Sequence, residues 1–236
     1  MDLSLTDEQE FLREAARGTL SRFKIVEAAR EAMDKGLSEL PDLWPAAREA
    51  GWAGLLISEE RGGAGLDVFD AMLVAEETGR VLAPVPFLGL IPATAILDAA
   101  GYDGLEAIAA GEVRPVWIPA RPPGDLEPEW TVDGPGAKRP AAPTITAGEG
   151  DAVTVTGHAA YVVDAPGAGL LVVTGVDGTI AVVDAGAAGV TVEQVVRYDV
   201  TRALAHVTLS DAPGTRLAGD PGVAADAATS APGALS

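Results

Sequence analysis

The spacing of apolar residues changes once along this chain, near Gly111, and that change constrains the fold more than any other feature. Before it, apolar residues recur at helical spacing. Thr6 and Gln9 have the spacing of a capping box, and Phe11, Leu12, Ala15, Thr19, Leu20 and Phe23 then recur on one predicted face. A second helix is predicted from Asp42, with Pro45 in its first turn and Gly51 as terminator. A third starts at Asp67, places Val68, Met72, Ala75, Gly79 and Leu82 on one face, and ends at Pro84. Phe87 to Ala100 and Asp103 to Gly111 give two more. After Gly111 the chain reads as strands: "VRPVWIPA", "AVTVTGHAAYVV", "GLLVVTG", "TIAVVDA", "VTVEQVV" and "LAHVTL" are rich in Val, Ile and Thr and bounded by Gly, Pro and Asp. Val176-Asp177-Gly178 marks a hairpin tip. The expected class is α+β: an all-α domain over 1–111, a β-barrel or sandwich over 112–218, and a linker over 219–236 leading toward a helical bundle that the chain does not contain.

Three glycines in "ERGGAGLD" raise the question of a phosphate loop. The stretch has no preceding parallel strand, no GxxxxGK[ST] lysine and no GxGxxG spacing, and Glu59 and Glu60 would repel phosphate. It reads instead as a tight reversal before a helix that Asp67 caps.

Charge removes several functions. With 16 basic and 35 acidic residues the net charge is −19, the wrong sign for nucleic acid or an anionic membrane surface. The absence of cysteine excludes disulfides, zinc–thiolate sites and cysteine nucleophiles. The longest uncharged run, Val81 to Leu97, holds three prolines and falls short of the roughly 20 residues of a membrane helix. A cytoplasmic location is expected. Neighbours Glu76 and Glu77 point in different directions, so they form no catalytic pair; a solvated or ion-paired face is expected, with Glu76 four residues before Arg80. His158 and His206 are too few for a metal site; His206 alternates with Leu204 and Thr208 on a partly exposed strand face.

Taken together, "LWPAAREAGWAGLLISEERGGAGLDVFDAMLVAEETGRVLAP", the opening Met1–Leu20 segment, "VTVTGHAAYVVDAPGAGLLVV" and "GVTVEQVVRYDVTRALAHVTLSDAP" resemble the acyl-CoA dehydrogenase family in order and spacing. The resemblance covers nearly the whole chain. It implies a helical domain, a β-barrel and a C-terminal helical bundle, with FAD between barrel and bundle. It also implies α,β-dehydrogenation of an acyl-CoA thioester, with hydride passing to FAD, in a homo- or hetero-oligomer. The family's base generally lies in the C-terminal part, so no catalytic residue is named here, and the resemblance implies either a truncated copy or completion by a second polypeptide.

On the same resemblance, Tyr161 and Val163 occupy flavin-facing positions where the family often has Trp and Thr. Val163 lacks the hydroxyl, and Ala159 replaces the Lys of G-x-K. "WIPARPPGD" would supply a second flavin strand, with Trp117 as its aromatic, Ala120 in place of Thr and Arg121 in place of Glu. Similar losses occur in family branches built from paired, non-identical subunits. That gives a second expectation: a non-catalytic structural subunit. The helix "PFLGLIPATAIL" would line an acyl pocket, or simply form core.

Overall fold

The computed structural model describes residues 4–35, 40–119, 142–195 and 199–218. Helices come first: α1 Asp7–Leu20, α2 Ile25–Lys35, α3 Trp44–Glu49, α4 Val68–Arg80, α5 Phe87–Ala99 and α6 Leu105–Ala109. Strands follow: β1 Pro115–Ile118, β2 Thr144–Ala147, β3 Ala152–Val163, β4 Leu170–Thr174, β5 Ile180–Asp184, β6 Val190–Val195 and β7 Leu204–Arg216. The fold is α+β, as expected. Helix α2 and strand β2 were not foreseen. Ala120, Arg121 and the segment 219–236 lie outside the described residues.

The expected caps form. Gln9 N–H donates to Thr6 Oγ1 at 3.2 Å while Thr6 N–H donates to Gln9 Oε1 at 3.1 Å. Asp67 caps α4 in the same reciprocal way with Asp70. Between them the glycine-rich segment makes its reversal. Gly62 takes φ +83°, and a Cβ on Gly63 would fall 2.0 Å from the Ile57 carbonyl oxygen, so no larger residue fits there.

Two helix faces differ from the sequence expectation. In α1 the buried residues are Ala16 and Leu20, while Phe11 is 73% exposed. In α4 the buried side is Ala71, Leu73, Val74, Glu77 and Thr78, with Gly79 and Leu82 outside. The reason is electrostatic as well as apolar. Glu77 is 3% exposed and receives both Arg17 Nε at 3.1 Å and Arg17 Nη2 at 2.7 Å, a bidentate pair that sets how α1 meets α4. Its neighbour Glu76 stays exposed, 3.4 Å from Arg80. Helix α5 is buried on nearly every side, Pro92 included, as its uniformly apolar sequence requires.

The strands form one mixed sheet in the order β1-β4-β5-β7-β3-β2, with β6 also pairing β7. Among the described residues β1 and β4 run parallel and the other pairs antiparallel. Gly175 to Thr179 turns the β4–β5 hairpin, and the Val176 N–H reaches Pro143 O at 3.0 Å, bringing this tip beside the start of β2. One apolar core, including Val116, Val155, Leu171, Val183, Val207 and Leu209, fills the inside of the curled sheet. A second joins Ile96, Leu97 and Ile108 of α5 and α6 to Val172 and Val182 on the outer side of the sheet.

Candidate functional site

Strand β3 is interrupted where it matters. Its pairing with β7 slips between Ala159 and Val162, so the bulge places both Ala160 and Tyr161 opposite His206. Tyr161 sits at φ +58°, in the left-handed region where a bulky non-glycine residue is an outlier. Val162 points into the inner core, while Tyr161 is 51% exposed. Such strain persists where the surroundings hold it, and functional sites collect it.

Beside Tyr161 the two histidines meet. The Tyr161 and His206 ring centroids are 4.8 Å apart, and those of His206 and His158 are 5.6 Å apart. His158 Nδ1 lies 3.1 Å from Thr208 Oγ1. His206 Nδ1 is buried and has no hydrogen-bond partner among the described residues, the kind of orphan that calls for an explanation. His206 and Thr208 alternate with buried Ala205 and Val207, as read from the sequence. What the sequence did not show is that the β3–β7 register would gather both histidines and Tyr161 into one aromatic platform. On the far side of β7, Glu193 stands in register with His206. Among the described residues no group of three or more His, Cys, Asp or Glu could hold a metal ion.

Val163 is half-buried and carries no polar atom on its side chain. Trp117 has a different neighbourhood from Tyr161: it packs against the cluster joining α5 and α6 to the sheet, and its indole N–H donates to Thr174 Oγ1 at 3.0 Å.

Asp164, the residue after β3, fastens the platform to the helices. Its backbone is also left-handed, at φ +63°, and its side chain is 5% exposed. The carboxylate accepts from Gly89 N–H at 3.0 Å, in the first turn of α5, where Pro86 offers no cap of its own. A Cβ on Gly89 would lie 2.7 Å from Val116 Cγ2 and 2.9 Å from Val163 O, so glycine is what allows this approach. Burial pushes the Asp164 carboxyl up to about 6; the Gly89 N–H, Arg202, Arg114 and the Leu88 N–H oppose the rise only in part.

The helical part matches the profile of the acyl-CoA dehydrogenase N-terminal domain over residues 6–105. Acyl-CoA dehydrogenase IpdE2 of Mycolicibacterium smegmatis is 38% identical over 109 residues, 45% of this chain and 35% of that protein. The fold superposes on a variant of the Tcur3481-Tcur3483 steroid ACAD with a TM-score of 0.73 and 26% identity, over 97% of this chain and 62% of that one. Residues 6–105 form an acyl-CoA dehydrogenase N-terminal domain. A further neighbour in fold is the ChsE4-ChsE5 complex from Mycobacterium tuberculosis, with a TM-score of 0.73 and 21% identity, over 96% of this chain and 61% of that one. The match spans about a third of the curated family member's length. Among the described residues no helix is long and apolar enough to cross a membrane.

Proposed function

We propose that residues 1–111 and 112–218 form the helical and β domains of an acyl-CoA dehydrogenase-like flavoprotein acting in α,β-dehydrogenation of an acyl-CoA thioester. The observation that carries this reading is the Tyr161 ring, half-exposed on a strained bulge, with the His206 ring against it at 4.8 Å and tilted by 57°. An open aromatic surface of this kind fits the face of a flavin ring. Bound FAD would supply the acceptor for the substrate's β-hydrogen. The chain's own contribution is binding and orientation: the Tyr161 ring offers its exposed face, and Val163 adds apolar contact without a hydrogen bond. Trp117 of β1, packed against the α5–α6 cluster, would meet the cofactor at a place apart from Tyr161. No general base is assigned among these residues.

Flavin titration of the chain and of Tyr161→Asn tests this, since Asn tolerates the left-handed backbone and removes only the ring. We expect uptake by the parent chain and at least tenfold weaker uptake by the variant. Equal uptake by both would refute the site.

A second reading is a non-catalytic subunit of a hetero-oligomer. It is favoured by the apolar Val163 and Ala159 at the positions named above, and by the two-component names of the steroid ACAD and ChsE4-ChsE5 neighbours. Absence of flavin uptake, with a mass by light scattering above that of one chain, would select it.

A further inference from the structure

Where the helices meet the sheet, a pocket of about 170 Å³ opens between Pro84 and Pro86, ahead of α5, and Arg114, Asp164, Pro166 and Arg202 from around β1, β3 and β7. Two of the chain's 16 basic residues converge on this hollow in a molecule of net charge −19. Among the described residues neither arginine has a carboxylate within the 4.0 Å of an ion pair. Arg114 lies over the Trp44 ring at 5.9 Å and donates through Nη2 to Pro166 O, yet its Nε is buried with no hydrogen-bond partner. Arg202 makes one long bond, 3.4 Å to Val85 O. A guanidinium carries five N–H donors in a planar fork suited to carboxylate and phosphate, so donors remain on both.

We propose that this pocket is an anion site, holding one small oxyanion, a carboxylate or a phosphate, between Arg114 and Arg202 and so tying the helices to the sheet. The volume admits one such group but is well below the roughly 300–1,000 Å³ of sites that enclose a whole cofactor. The inference is independent of flavin binding. The acids acting on the pocket are Asp164, which lines it, and Asp42, which acts on Arg114 from ahead of α3. Asp164 is the one that competes directly with a bound anion, so removing its charge strengthens binding.

The test is calorimetric and thermal titration of the 236-residue chain with inorganic phosphate and, separately, acetate, in Bis-Tris chloride at pH 7.5 and constant ionic strength. The expected result is saturable stabilisation by at least one oxyanion and none by added chloride; the tighter of the two identifies the class. Arg202→Gln weakens binding at least tenfold, and Asp164→Asn tightens it severalfold. An equal response to chloride, or unchanged affinity in Arg202→Gln, overturns the proposal. Should Arg202→Gln fail to fold, Asp164→Asn still decides: damage to the fold does not tighten binding, and weaker or unchanged binding there refutes the site.

Discussion

Replacing Asp164 by Asn should stabilise this protein at neutral pH, although it alters a buried residue that makes a native hydrogen bond. The Asn side-chain oxygen can still accept from Gly89 N–H, now at 3.0 Å, so the α5 cap survives. What disappears is the cost of ionisation. The folded carboxyl titrates near 6 against a reference of 3.8. Between these values the native state holds a proton that the unfolded chain has released, so stability falls as pH rises through this window. Above it the full penalty, about 3 kcal/mol, is present; near pH 5 it is about half that. The variant should therefore exceed the parent by about 1–3 kcal/mol at pH 8, and the gap should narrow by about 1 kcal/mol or more on going to pH 5. Urea titrations followed by tryptophan fluorescence at both values read this difference, and comparison with the parent cancels the other carboxylates. A variant that is less stable at pH 8, with a gap independent of pH, would show that the charged carboxylate is a favourable anchor for Arg114 and Arg202 and that the argument from burial is wrong.

Gly89→Ala should destabilise by about 2–3 kcal/mol, read as a lower urea midpoint, because its methyl group meets Val116 and the Val163 carbonyl with no space to move into. Arg17→Gln should destabilise and change the acid limb. Arg17 holds the Glu77 carboxyl below its ordinary value, so the pair's contribution is present above the unfolded carboxylate pKa and is lost as pH falls. The variant's stability should depend less steeply on pH in acid, and an unchanged slope would refute the pairing. Tyr161→Asn should leave the urea midpoint within about 1 kcal/mol of the parent, since relief of backbone strain offsets the lost ring contact; a larger loss would make Tyr161 a structural residue.

Features settled by neighbours in sequence were readable from the sequence. The Thr6–Gln9 and Asp67 caps, the Val176-Asp177-Gly178 turn and the switch from helix to strand all rest on residues a few positions apart. Helix α2 escaped because its buried residues are Ile25, Ala29 and Ala32, a stripe dominated by small side chains that carries little apolar signal. Strand β2 escaped because "TITA" is short and mostly exposed, and its pairing with β3 defines it. The misjudged faces of α1 and α4 have one cause. Counting apolar residues favours Phe11, whereas close packing uses Ala16 and Ala71 and the Arg17–Glu77 pair.

The site was legible only as positions, not as an arrangement. Tyr161 and Val163 could be marked by resemblance, but a bulge that turns one residue left-handed leaves no trace in composition. The two histidines looked unpaired because nothing local joins them; the β3–β7 register does. Asp164 and Gly89 are 75 residues apart, and neither is informative alone. Together they explain each other: a buried carboxylate is tolerated because a helix N-terminus needs an acceptor, and a glycine is needed because that acceptor must come close. The same contact keeps Asp164 from pairing fully with Arg114 and Arg202, which is why those two cations remain available at the junction of helices and sheet.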